Sequence, residues 1–165
     1  MASSASIIGK LGNTKTKVVI DIGVGDAVKP TEITMKLLET DKAPLFEKEI
    51  HIWAYPVESI FAEKLETAIS RLDQNSRMKD YHDLVVLIRS DVLNKERVKA
   101  AVNDTFTNRE TTVQELAIPK ELLSTIQNYW DLYLRALMPE VREQLNNDLQ
   151  IVIDEINSYL QKVWR

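Results

Sequence analysis

No glycine occurs after position 25 in this 165-residue chain; the four it has are Gly9, Gly12, Gly23 and Gly25. Glycine is what lets a backbone enter left-handed and strained conformations. The rest of the chain must therefore be built mostly from regular structure. The apolar pattern shows which kind, because its period changes from two to about 3.6 at Tyr55-Pro56.

Ahead of that point the signals are strands. Lys17 to Val24 (KVVIDIGV) is a β-branched run whose continuous apolarity predicts a central strand. Gly23-Val24-Gly25-Asp26 would end or kink it. Thr31 to Leu38 alternates, as does Lys48 to Ala54 with Ile50, Ile52 and Ala54 on one face. Beyond Pro56, which suits a first helical turn with Glu58 at its positive end, Ile60, Phe61, Leu65, Ala68, Ile69 and Leu72 form a helical stripe. Asp73 to Ser76 breaks it. A second helix is expected over about Lys79 to Arg89, and a third from an Asn94 cap to Val102. Thr105 to Pro119 is expected as a loop, followed by helices over Lys120 to Leu137 and Pro139 to Val163. The predicted fold class is α+β: a small sheet of about three strands, then a C-terminal helical bundle. Its parts are a flexible, Ser- and Gly-rich lead-in (1–16), the sheet (17–55) and the helical region (56–165).

Composition excludes several functions. The formal net charge of −4 gives no general pull toward nucleic acid or an anionic membrane, so such binding would need a local basic patch. With no cysteine, disulfides and thiolate metal sites are excluded, which fits a reducing cytoplasm. His51 and His82 are too few for a His-rich zinc site. No apolar run reaches the roughly eighteen residues of a spanning helix, so no membrane insertion is expected. The N-terminus also lacks the basic-then-apolar pattern of a signal peptide.

The charged residues carry the chemistry. Asp21 interrupts Val18 to Ile22. It is either a residue on the solvent face of a half-exposed strand or a carboxylate for magnesium or general-base work, because a buried charge needs a partner. Asp26, after Gly25, is most simply a turn residue. Lys64 borders the apolar stripe, where it either snorkels or neutralises a phosphate. Asp80 and Asp83 share a helical face three residues apart; they tolerate solvent or share a cation, and Arg77 and Lys79 can pair with either or contact phosphate. His82 lies about 100° around the helix from Asp83 and reads as incidental. Trp130, Tyr133 and Trp164 read as core or interface aromatics.

Together, IDIGVGD (Ile20–Asp26), YPVESIFAEKLETAISR (Tyr55–Arg71) and NSRMKDYHDLVVLIR (Asn75–Arg89) resemble the nucleotidyltransferase-like toxins of the AbiEii/AbiGii family, the toxin partners of type IV toxin–antitoxin systems. FTNRETTV (Phe106–Val113) and the Trp130–Tyr133 tract are similar to that family's C-terminal region. The resemblance implies a nucleotidyltransferase fold and magnesium-dependent transfer of a nucleoside monophosphate from an NTP to an acceptor such as tRNA, in phage defence by abortive infection. It implies that Asp21 is the metal-binding carboxylate of the late strand and that Lys64 contacts the triphosphate. It further implies that Asp80 and Asp83 belong to the Lys-Asp-x-x-Asp motif, with Asp80 the first choice for the active site.

One departure matters. The family's Gly-Ser and, about a dozen residues on, Asp-x-Asp supply the first two metal ligands and the phosphate-cradling turn; this sequence contains neither motif. The chain is thus expected to correspond to the C-terminal portion of such an enzyme, with magnesium bound only if a missing N-terminal half supplies the motif, and to be inactive alone. The antitoxin would act indirectly. Two alternatives stay open: a non-catalytic interaction module, with an open sheet edge inviting homodimerisation, and a different magnesium-binding phosphoesterase.

Overall fold

The computed structural model describes residues 2–23, 25, 28–36, 49–71 and 77–165. The fold is α+β, as expected, with two small antiparallel sheets and six helices among the described residues.

The first correction is at the start of the chain. The expected lead-in is a strand, β1 (Ala2–Leu11), paired antiparallel with β2 (Thr14–Gly23) from Ala2↔Gly23 to Leu11↔Thr14. The two-residue loop between them begins with Gly12 at φ 58°, the left-handed first position that a type II′ hairpin turn requires. Pairing in this register sorts the side chains. Ala5, Ile7, Leu11, Val18, Ile20 and Ile22 share one face, while Ser4, Ser6, Ile8, Lys10, Lys15, Lys17, Val19 and Asp21 share the other. The run read as continuously apolar is therefore an alternating strand with Val19 on its polar side. Nor is β2 central: β1 is its sole partner among the described residues, and both strands are solvent-exposed from residue 4 to residue 23.

A second two-stranded sheet pairs β3 (Thr31–Lys36) with β4 (Glu49–Ala54), from Thr31↔Ala54 to Lys36↔Glu49. Its register puts Ile33 and Met35 on the same face as Ile50, Ile52 and Ala54, the face expected for β4. The expected single sheet of about three strands is thus four strands in two separate sheets among the described residues. Leu37, Leu38, Lys48 and Asp26, which entered the strand and turn expectations, lie outside the described residues, as do Leu72 and Asp73 to Ser76.

The core is helical. The helices are α1 (Val57–Ser70), α2 (Met78–Arg89), α3 (Lys95–Asn108), α4 (Leu123–Ala136), α5 (Pro139–Arg142) and α6 (Leu149–Trp164). The stripe on α1 buries Phe61, Leu65, Ala68 and Ile69 against α2 and α3. Pro56 caps α1 from outside, and Glu58 is buried, accepting a hydrogen bond from the Asn94 amide (3.2 Å). On the opposite side α6 presents Leu149, Val152, Ile153, Ile156, Leu160 and Val163 to the core, each worth about 1.5–3 kcal/mol when fully buried. Trp130 is wholly buried and its indole N–H donates to the Asn146 carbonyl (2.9 Å), so this aromatic is core, as expected.

Two helix boundaries differ from expectation. The third helix continues to Asn108 because Thr105 and Phe106 face inward. The last predicted helix is two, since Asn146 and Asp148 make better turn than helix residues: Asn146 Oδ1 accepts from the Asp148 amide (2.9 Å), and Asp148 Oδ1 accepts from the Gln150 amide (2.9 Å) to start α6. Asn94 caps α3 as expected, accepting from the Arg97 amide at 3.1 Å.

Candidate active-site cleft

Lys64 lies midway along α1, and Asp80 and Asp83 lie in the first half of α2. Packing of the two helices puts the Lys64 ammonium 2.6 Å from Asp83 Oδ2 and 3.1 Å from Asp80 Oδ1. The two carboxylates do share a cation, and it is this lysine. Asp80 is the more buried, with 4% of its side chain exposed against 27% for Asp83. Its second oxygen is 3.3 Å from Arg77 Nε, close enough for an ion pair but without hydrogen-bond geometry. The first turn of a helix also favours a carboxylate at Asp80. Burial acts most strongly on Lys64 and pulls its pKa down. Hydrogen bonds and charges from Asp83 and Asp80 outweigh that pull, leaving the ammonium above its ordinary value of 10.5. An ammonium has three N–H donors; Asp80 and Asp83 take two, and the third has no partner among the described residues.

A cleft of about 210 Å³ opens beside this group, lined by Ile60, Glu63, Lys64, Thr67, Arg77, Asp80 and Arg109. Three of the lining side chains are cations. Arg109 was missed by the sequence reading. Its guanidinium donates to Glu66 Oε2 (2.6 Å) and Thr67 Oγ1 (3.3 Å) and lies 3.8 Å from Glu63 Oε2, tying the end of α3 to α1. Thr111 Oγ1 donates to the other oxygen of Glu66 (2.7 Å). Burial, the largest influence on Glu66, would raise its pKa. The bonds from Arg109, Thr111 and Ser70 and the Arg109 charge prevail and hold it below its ordinary 4.5. The signal was present in FTNRETTV, which carries both Arg109 and Thr111, but no local pattern joins it to a glutamate 43 residues away.

The other expected site residues lie outside the cleft lining. Lys79 is exposed on α2. His82, read as incidental from the sequence, donates to or accepts from Tyr133 (Nδ1 to Oη, 2.7 Å) and so links α2 to α4. Burial lowers its pKa below 6.5. Asp21 lies on the polar face of the hairpin and accepts a 2.6 Å bond from Ser4 Oγ; no bond among the described residues joins it to Lys64, Asp80 or Asp83.

Magnesium wants several oxygen ligands in octahedral geometry. Here Asp80 Oδ1 and Asp83 Oδ2 face an ammonium, Asp80 Oδ2 faces a guanidinium, and no three acidic or histidine side chains among the described residues stand together as a metal cluster. The described residues do not fit a magnesium centre.

An α+β chain in which a lysine is clasped by two carboxylates at the junction of its first two helices is the class defined so far. A family model for the nucleotidyl transferase AbiEii toxin of type IV toxin–antitoxin systems matches residues 3–161, most of the chain. The protein belongs to that family. No curated protein and no solved structure matches it. Among the described residues, no helix is long and apolar enough to cross a membrane.

Proposed function

We propose that this chain supplies the triphosphate-binding part of a nucleotidyltransferase toxin that moves a nucleoside monophosphate from an NTP to an acceptor such as tRNA, and that it is inactive alone. The observation that carries this reading is the Lys64 ammonium, held by Asp80 and Asp83 in the wall of a cleft that it shares with Arg77 and Arg109. A lysine so held is a preorganised point charge for a phosphate oxygen. In the reaction an acceptor hydroxyl oxygen bonds to the α-phosphorus, the bond to the β-phosphate breaks, and pyrophosphate leaves while the hydroxyl proton is lost. Lys64 stabilises the charge that develops on the leaving pyrophosphate. Asp80 positions Lys64, and Arg77 screens Asp80. Asp21 and the missing Gly-Ser and Asp-x-Asp elements would complete the site, with any magnesium held by them. Such a toxin would work in the cytoplasm, and its antitoxin would act without occupying the cleft.

The test is incorporation of α-labelled NTP into RNA. The isolated chain should incorporate none. A co-expressed polypeptide carrying Gly-Ser and Asp-x-Asp should restore transfer, and Lys64→Ala should then reduce it at least 100-fold. Transfer by the isolated chain that is abolished by Asp21→Ala would overturn the reading.

A second reading, an interaction module derived from the same fold, is favoured by the exposed apolar faces of both sheets. Ile7, Val18, Ile20 and Ile22 are 42–55% exposed, and Ile33, Met35 and Ile52 are 38–41% exposed. Contiguous apolar surface of this kind marks contact sites, and a homodimer through the β1 edge is the simplest form.

A further inference from the structure

The net charge of this chain is unevenly distributed. The hairpin, residues 2–23, carries Lys10, Lys15 and Lys17 against a single carboxylate, Asp21, for a formal +2, which leaves −6 for the remainder of the chain's −4. The register concentrates that charge further. Lys10 stands directly opposite Lys15, and Lys17 is two residues along the same face. Cβ atoms across such a rung are about 4.5–5.5 Å apart, and like charges there destabilise a pair of strands. Asp21 does not relieve them: it lies six residues beyond Lys15 at the far end of β2, about 20 Å away at strand rise, and is bonded to Ser4. A hairpin that keeps three lysines together at its tip, at a cost to its own pairing, has a surface shaped for a polyanion.

We infer that the tip of the β1–β2 hairpin docks the phosphate backbone of RNA. Three ammonium groups separated by one rung and one strand repeat match successive phosphates, each taken as a point charge. The hairpin carries no arginine fork and no aromatic ring, so the contact positions RNA without reading its sequence. The remainder of the chain is acidic overall, so a polyanion meets its weakest repulsion at the hairpin. The choice of RNA over DNA rests on the acceptor proposed above.

The experiment is fluorescence anisotropy with a labelled RNA stem-loop, and with a DNA duplex of equal length, in the absence of nucleotide. Because no transfer step occurs, the result stands apart from the Lys64 reading. Binding to RNA should weaken with salt at a log–log slope of about −2 to −3, as three phosphate contacts require. Lys15→Glu with Lys17→Glu should weaken binding at least 10-fold and flatten the slope by about 2. The control Lys120→Glu with Lys162→Glu, both exposed positions on the helical region, should leave it unchanged. Circular dichroism checks that each variant is folded. Absence of RNA binding at low salt, an equal loss in both double variants, or preference for the DNA duplex would overturn the inference. So would a hairpin variant that binds RNA normally but no longer self-associates in sedimentation, which would assign the lysines to the acidic surface of a second copy.

Discussion

Removing the Lys64 ammonium would leave Asp80, 4% of whose side chain is exposed, with Arg77 as its nearby cation. Breaking a buried pair from one side typically costs 3–5 kcal/mol. Because Lys64 is 23% exposed and Arg77 remains, Lys64→Met should destabilise by about 2–4 kcal/mol. Adding Asp80→Asn should recover part of that loss, so the double variant in urea denaturation should be more stable than the sum of the singles. The pH dependence follows from the direction of each shift. Glu66, held below 4.5, contributes stability that is present above pH 4.5 and lost as pH falls through its folded value; Glu66→Gln should remove that part of the acid-side decline. Lys64, raised above 10.5, contributes below pH 10.5 and loses its effect only as pH rises through its folded value, so the clasp is intact across the neutral range. The residues of this clasp were legible because lysine and the Lys-Asp-x-x-Asp cluster fall on two strongly periodic helices. Arg109 was not, since its role depends on packing between α3 and α1.

The helices and the strands hold to the fold by different means. Asn94→Ala removes the side chain that caps α3 and should cost about 1 kcal/mol in thermal or urea unfolding. By contrast the β1–β2 hairpin has no buried face, and an isolated two-stranded hairpin is marginal in water. Its amides should exchange in hydrogen-exchange measurements much faster than those of α1 and α6, which carry the core. Slow exchange across Ile7 and Ile20 in dilute protein would show that something covers it. Helix existence was readable from apolar period and caps. β1 was not, because Ala-Ser-Ser-Ala-Ser has no apolar alternation and acquires its faces only from its register with β2. The break before α6 was hidden in a periodic segment whose Asn146 and Asp148 side chains bond their own backbone.

At the scale of the whole molecule, apolar burial and apolar exposure are segregated. Among the described residues every buried apolar side chain lies between Phe61 and Val163, while the two sheets leave most of theirs exposed to solvent. Sedimentation velocity at increasing protein concentration should therefore show self-association. Ile7→Lys with Ile20→Lys, on the apolar face of the hairpin, should shift it toward monomer without lowering the unfolding midpoint of the helical core. A monomer at all concentrations would count against the interaction-module reading.

The order in which these parts leave the ribosome is fixed by their place in the chain. Within this sequence both sheets precede the helices and carry no core of their own, whereas six of the residues that close the core belong to α6, the most C-terminal of the described helices. Until Leu149 to Val163 are synthesised, the inward faces of α1 to α4 have no lid. Such a nascent chain is a natural client for holding chaperones, and a stop codon placed shortly before Leu149 should yield aggregates in place of a shortened soluble protein.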